Sequence, residues 1–122
     1  MTYAKNYLAA ALITAAGYAA APPRPTTSLD AARAAISSAE RIDAGRFAAF
    51  DLGEARNRLA FADTAVRDED MMLAERLANE ARVGAELAYV RTETVKAEAI
   101  NDETQRGIAA LIEEMRRSGE KR

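Results

Sequence analysis

The residues of this chain whose types suggest chemistry lie in one acidic run, Asp68-Glu69-Asp70. Carboxylates bind Ca²⁺ or Mg²⁺ when they recur at the spacing of a binding loop that also contains a glycine. This run has neither that spacing nor the following glycine. Because it stands between two helical patterns, we interpret it as a charged helix–helix turn and predict no metal site.

Histidine and cysteine are both absent from the 122 residues. The commonest general base, the commonest transition-metal ligand and the thiol nucleophile are therefore missing. The chain also lacks the glycine-rich motifs that hold phosphate groups. Its net charge of −2 gives no electrostatic reason to expect nucleic acid as a partner. These observations predict a non-enzymatic protein with no cofactor.

Two amphipathic helical patterns flank the acidic turn. In the first pattern, apolar residues recur at spacings of three and four, on one face of a helix: Leu52, Ala55, Leu59, Ala62 and Val66. The second pattern follows the turn: Met71, Met72, Leu73, Leu77, Ala81, Gly84, Leu87, Ala88 and Val90. Two such helices joined by a short loop must fold back on each other, which predicts an αα-hairpin. We expect Leu59, Leu77 and both methionines in its core.

A further helix is predicted before the hairpin. Thr27 or Ser28 is placed to cap its start, and Gly45 is placed to end it as the residue in the left-handed conformation. Phe47 and Phe50 follow in the connector, where we expect both rings to pack the loop onto the hairpin.

The hairpin helices carry their own start signals. Asp51 with Glu54 is spaced like a capping box, and Asp70 is the natural N-cap of the last helix. That helix has one candidate break, at Asn101-Asp102, because both are weak helix formers. The sequence leaves open whether the helix is broken there.

The fold class predicted is all-α, an elongated antiparallel helical hairpin or three-helix arrangement with a long C-terminal helix. Thirty of the residues are alanine and only seven are aromatic, so helices can approach closely while little large apolar area is buried. We expect a hairpin domain at residues 29–99 and a helical extension at residues 100–122.

Residues 1–21 resemble an export leader, with Lys5 in the positive region and an apolar run after it. The run is shorter than the ~20 apolar residues of a membrane-spanning helix. Residues 15–19 are similar to a bacterial lipoprotein processing site, but Tyr18 stands where the modified cysteine is expected. We therefore expect a soluble periplasmic protein, or one tethered by an uncleaved leader. Prolines in residues 22–28 predict an extended spacer.

The end of the chain carries a separate apolar stripe, which we predict to be an interaction surface: Ile100, Ile108, Leu111, Ile112 and Met115. If the last helix is straight, the two shorter helices end too early to cover it. We expect a second copy of the chain, another envelope protein or a membrane surface to do so. Alternatively, a break at Asn101-Asp102 lets the tail fold back.

Four runs carry a resemblance to a known family: Ala31–Ile36, Leu52–Leu59, Ala74–Ala78 and Glu80–Arg82. With the Ala44-Gly45 break, they resemble a bacterial envelope family, often lipoproteins, known as domain of unknown function 4398. Tyr18 and the lack of a glycine before Met71 depart from its pattern. The resemblance implies a leader, a spacer, a helical hairpin and an outer-membrane-facing periplasmic location, with no established activity.

The leading hypothesis is a non-enzymatic helical protein-interaction module of the Gram-negative cell envelope. The alternative is a membrane-anchored or membrane-surface helical protein. In that case an uncleaved leader and the C-terminal amphipathic segment would hold it to lipid.

Overall fold

The computed structural model describes residues 23–122, which form four α-helices and, within that range, no strand. The helices are α1 (Thr26–Arg41), α2 (Ala44–Phe47), α3 (Ala49–Arg67) and α4 (Met71–Glu120). The predicted all-α fold with a long C-terminal helix is confirmed. The predicted leader, including Tyr18, lies outside the described residues.

Helices α1, α3 and the first part of α4 form a three-helix bundle. α3 runs antiparallel to α1, because Arg33 pairs with Asp63 while Glu40 pairs with Arg56. Leu29 packs with Ala62 and Ala78, so the start of α1 lies beside the end of α3 and the start of α4. Among the described residues, no helix is both long and apolar enough to cross a bilayer.

The centre of the bundle consists mainly of alanine. α4 contributes a row that we call the alanine seam, whose members recur at spacings of four and three: Ala74, Ala78, Ala81, Ala85, Ala88 and Thr92. Larger buried side chains come from the other helices, namely Leu29, Ile36 and Leu52. Small side chains let the helix backbones approach, so the alanines occupy the middle and larger residues lie beside them.

Several large residues expected in the core are displaced toward its edge. Leu59 and Leu77 are half-buried and pack against a cluster that contains Leu29. Met72 is 80% exposed, so its predicted core position is wrong. The alanine seam is the side of α4 that faces the neighbouring helices. Met72 lies on the other side of α4 and therefore points outward.

The turn between α3 and α4 confirms the predicted cap at Asp70, whose carboxylate accepts a hydrogen bond from the backbone N–H of Leu73 at 3.0 Å. Glu69 adopts a left-handed conformation with φ of 61°. Its N–H donates to the Val66 carbonyl, and the Asp70 N–H donates to the Ala65 carbonyl, which is the Schellman pattern. Glu69 therefore occupies the position where helix ends usually carry glycine.

The predicted ends of the first helix are wrong. α1 begins at Thr26 with Pro25 as its N-cap, and no side chain caps it. The helix begins there because the Pro25 carbonyl accepts the first backbone hydrogen bond, from the N–H of Leu29 at 3.0 Å. At the other end, Asp43, with φ of 66°, adopts the left-handed conformation expected of Gly45. Aspartate tolerates this region, which leaves Gly45 inside the short helix α2.

The predicted capping box of the second long helix is also wrong. α3 starts at Ala49, so Asp51 lies in its first turn. The Asp51 carboxylate instead pairs with Arg91 of α4 at 2.6 Å. Of the two connector rings, Phe47 is half-buried, with the side-chain nitrogen of Lys96 5.8 Å from its centroid, whereas Phe50 is 78% exposed.

Helix α4 continues through Asn101-Asp102 without a break. Asn and Asp each cost at most ~0.7 kcal/mol in a helix relative to alanine, and the segment has no proline to remove a hydrogen bond. The tail therefore does not fold back onto the bundle.

Candidate interaction surface

The candidate surface lies on the part of α4 that extends past the bundle. α4 has 50 residues, whereas α1 has 16 and α3 has 19. At 1.5 Å per residue these lengths are roughly 75 Å against 24 and 29 Å. Thr92 is the last buried residue of α4, so we call residues 93–120 the overhang.

All five residues predicted to form an interaction stripe lie on the overhang, and each is at least 54% exposed. We call them the distal stripe: Ile100, Ile108, Leu111, Ile112 and Met115. At 3.6 residues per turn, its mean direction lies roughly 135° around the helix from the alanine seam. The distal stripe is therefore a separate apolar face and does not continue the bundle's core.

Charges along the overhang are unevenly distributed. Its first part is acidic, with Glu93, Glu98, Asp102 and Glu103 against a single Lys96. From residue 104 to residue 120 three arginines are matched by three glutamates, and Arg116 and Arg117 each pair with Glu113 at 3.2 Å. Lys121 and Arg122, just past the overhang, then leave an excess of positive charge at the end of the chain. The distal stripe thus runs between an acidic and a basic end.

Ion pairs on the bundle hold the three helices in register. Arg33 pairs with Asp63 at 2.8 Å, and Arg58 of α3 pairs with Glu80 of α4. The Lys96 ammonium donates to the Ile42 carbonyl at 2.7 Å, which ties α4 to the end of α1. Such exposed pairs contribute only about 0–1 kcal/mol each, so they orient the helices more than they stabilise them.

Open grooves run between α4 and its neighbours on the bundle surface. One, between α3 and α4, is lined partly by Arg58, Met72 and Val83, and the other, between α1 and α4, partly by Ala35 and Tyr89. Within residues 23–122, no three Asp or Glu side chains come together in a way that would hold a metal ion. The first groove also contains the charged side chains of Glu75, Arg76 and Glu80.

Sequence reasoning missed a second set of exposed apolar residues, on the outer face of the proximal half of α4: Met72, Val83, Leu87 and Val90. Val83 and Val90 are seven residues apart and follow Met72 on nearly the same side of the helix. This spacing was a usable signal. Periodicity alone favours leucine and valine over alanine for the core, so it does not mark these residues as exposed.

A family model described as Domain of unknown function (DUF4398) matches residues 27–104. The match covers the whole bundle and reaches Ile100, whereas the other four residues of the distal stripe lie beyond it. No curated protein and no solved structure gives a significant match. Because the family model spans more than half of its length, the chain belongs to the DUF4398 family.

Proposed function

We propose that this chain is a non-enzymatic helical protein-interaction module of the Gram-negative cell envelope, exported to the periplasm. The observation that carries the proposal is the distal stripe, five large apolar side chains exposed on a helix that extends past its own bundle. Exposed apolar surface is unfavourable by ~25 cal/mol per Å², and a contiguous patch of it marks a binding site.

A binding role also fits the polar groups of the molecule. Several charged side chains of the bundle form ion pairs between helices, such as Arg91 with Asp51. The sequence supplies neither histidine nor cysteine for catalysis. The partner class that fits is a protein, either an envelope protein or this chain itself, and not a nucleic acid.

Export is supported by the leader-like residues 1–21 and the proline-rich segment after them. We expect cleavage after Ala19, leaving Ala20 at the N-terminus and no attached lipid. Cell fractionation with intact-mass measurement tests this expectation. As a control, Tyr18→Cys should yield a lipid-modified protein, because the neighbouring residues of the processing site are small. A periplasmic species that retains Met1 would contradict cleavage.

The interaction itself is tested by cross-linking in intact cells. Leu111→Glu places a charge within the distal stripe, and Ala110→Glu places the same charge on another side of the helix. We expect the cross-linked species to disappear in the first variant only. Equal cross-linking in both would contradict the distal stripe as the binding surface.

A membrane-surface role is the second candidate, because basic residues follow the distal stripe: Arg116, Arg117, Lys121 and Arg122. An amphipathic helix with a basic end binds anionic lipid. Flotation of the purified chain with vesicles of anionic phospholipid, lost in Leu111→Glu and kept in Ala110→Glu, would favour this role.

A further inference from the structure

We propose that the outer side of α4 forms a coiled coil with a helix of another protein, one whose apolar positions are flanked by lysine or arginine. The inference rests on the proposed interaction role of this chain and goes further by naming the class of partner. Three features of α4 support it: the seven-residue period of an exposed face, the position of that face opposite the bundle, and the acidic residues along its edges.

One exposed face of α4 follows a strict heptad pattern. From Val83 onward, its residues recur at alternating spacings of four and three, like the a and d positions of a coiled coil. We call this row the heptad face: Val83, Leu87, Val90, Thr94, Ala97, Asn101, Thr104, Ile108, Leu111, Met115 and Ser118. Every member is exposed and none is charged, although charged residues occur throughout this part of α4. The heptad face therefore joins the exposed apolar residues of the proximal half to the distal stripe, whose Ile100 and Ile112 lie at its edges.

The period of the heptad face indicates that its partner is a helix. Positions that recur every 3.5 residues drift by about 20° per heptad on a straight α-helix, which has 3.6 residues per turn. Between Val83 and Ser118 the drift reaches about 100°, so a flat surface such as a bilayer would lose contact with one end. A second helix that winds around α4 with a left-handed twist keeps contact with the whole row, over roughly 50 Å.

The bundle does not cover the heptad face. In the proximal half, this face points roughly 170° around the helix from the alanine seam, through which α4 packs on the bundle. Val83 and Val90 are accordingly 55% and 59% exposed. A partner helix can therefore lie along both halves of α4 without displacing α1 or α3.

Charges at the edges of the heptad face indicate the kind of helix. The e and g positions beside the face approach the flanks of a partner helix. Between Val83 and Ser118, the charged residues at these positions are Glu86, Arg91, Glu93, Glu98 and Glu114. Arg91 is already paired with Asp51 of α3, and Glu86 with Arg82. The other three glutamates are exposed and form no ion pair within residues 23–122, so basic residues on a partner would match them.

The same edges disfavour a second copy of this chain as the partner. In a parallel coiled coil, each g position lies beside the next e position of the other helix. Glu93 of one copy would then lie beside Glu98 of the other, and the same repulsion would recur on the opposite edge. A helix with lysine or arginine at those positions would form attractive pairs instead.

The first test uses two synthetic helical peptides of about five heptads that differ only in charge. Both have isoleucine at a and leucine at d, and one has lysine at every e and g position where the other has glutamate. Like charges keep each peptide from pairing with itself. We expect the full chain to bind the lysine peptide at least about 10-fold more tightly at low ionic strength, with the ratio falling as salt is added. Fluorescence anisotropy of the labelled peptides measures both affinities, and equal values would overturn the proposal.

Matched variants separate the heptad face from general attraction to a basic peptide. Leu111→Glu and Ala110→Glu add the same charge at neighbouring exposed positions, but only Leu111 belongs to the heptad face. We expect Leu111→Glu to weaken binding of the lysine peptide by about 100-fold, because it places a carboxylate in the apolar contact. Ala110→Glu should bind like the natural chain, and circular dichroism should show the bundle folded in both. Equal binding by the two variants would overturn the proposal.

A charge reversal tests the acidic edges. In the double variant Glu93→Lys with Glu98→Lys, we expect the glutamate peptide to become the tighter ligand. The control, Asp102→Lys with Glu103→Lys, makes the same change in net charge at exposed positions away from the heptad face, and it should still prefer the lysine peptide. A reversal in both double variants would show that net charge alone governs binding and would overturn the proposal.

Two other occupants of the heptad face would be recognised by the same pair of variants. A dimer of the natural chain in sedimentation equilibrium, lost in Leu111→Glu and kept in Ala110→Glu, would assign the face to a second copy. Flotation on vesicles of anionic phospholipid with that same pattern would assign it to a bilayer. Either result would overturn a partner helix with basic flanks.

The outcomes also separate this inference from the proposed function. If the chain does not bind the lysine peptide but still loses its cellular cross-links in Leu111→Glu, the coiled-coil partner is overturned while the interaction role stands. If the lysine peptide binds as expected but cells do not export the chain, the coiled coil is supported and the envelope role is contradicted.

Discussion

The two halves of α4 have opposite relations between side-chain size and burial. The proximal half, residues 71–92, buries five alanines and one threonine while Met72, Val83 and Val90 stay exposed. The overhang carries isoleucine, leucine and methionine and buries none of them. Burial in this molecule therefore follows the position of the neighbouring helices, because only a residue that faces α1 or α3 leaves the solvent.

This difference in burial also distinguishes the roles of the two halves of α4. Close packing through small side chains gives the proximal half a fixed place in the bundle, and its exposed apolar residues lie on the outer face, away from that packing. Lys96, near the start of the overhang, contacts Ile42 and Phe47, whereas the distal stripe beyond it is exposed and available to a partner. One continuous helix thus joins a packed segment to an exposed segment, and perturbing each half should have distinct effects.

The largest loss of stability is expected when Leu52 is truncated. Leu52 is 1% exposed and is the most buried large apolar side chain that faces the proximal half of α4. Leu52→Ala should lower the free energy of unfolding by about 2–5 kcal/mol, because it removes contacts and leaves a cavity beside Ala85 and Ala88. Urea unfolding followed by circular dichroism measures this.

The matched variant on the overhang is Leu111→Ala, measured at a concentration where the chain is monomeric. Its unfolding free energy should stay within about 0.5 kcal/mol of the natural value. If Leu52→Ala and Leu111→Ala lowered the unfolding free energy by similar amounts, the proposed difference between the two halves of α4 would be wrong. Such a result would mean that the overhang packs on the bundle.

A smaller loss is expected when the alanine seam is overfilled. Ala85 is fully buried among Ile36, Leu52 and Ala55, so Ala85→Leu should destabilise the bundle by about 1–3 kcal/mol by forcing the helices apart. Ala110→Leu, on the exposed overhang, makes the same change in side-chain size and should have almost no effect on thermal unfolding. If Ala85→Leu were neutral, the seam would be loosely packed.

The smallest expected change is a gain in stability, from a substitution in the turn that joins α3 to the proximal half of α4. Glu69 is held at φ of 61°, which costs a residue with a side chain about 1–2 kcal/mol and glycine nothing. Glu69→Gly should raise the unfolding free energy by about 0.5–1 kcal/mol, once the greater freedom of glycine in the unfolded chain is subtracted.

Its control is Asp68→Gly, next in the chain but with φ of −82°, where glycine relieves nothing. That variant should lower the melting temperature slightly. A loss in both variants would show that the Glu69 side chain contributes more than its backbone strain costs.

The sequence alone was enough to predict the helical class, the order of the three long helices and the turn at Asp68–Asp70, because local hydrogen bonding and apolar periodicity act within one or two turns. It also determined the Asp70 cap and the existence of a stripe from Ile100 to Met115. These features depend on residues that are close in sequence, so they can be inferred before any packing is known.

Helix packing, by contrast, set which residues are buried and where the first two long helices begin and end. Alanine carries too little apolar area for periodicity to distinguish a core alanine from an exposed one, so the seam was visible only once α1 and α3 lay against it. Asp43 and Glu69 took left-handed positions expected of glycine because the surrounding bundle fixes the chain path. The sequence also left open whether α4 breaks at Asn101-Asp102, because the helix propensities there differ only slightly. The helix is continuous at these residues, and the distal stripe is therefore exposed.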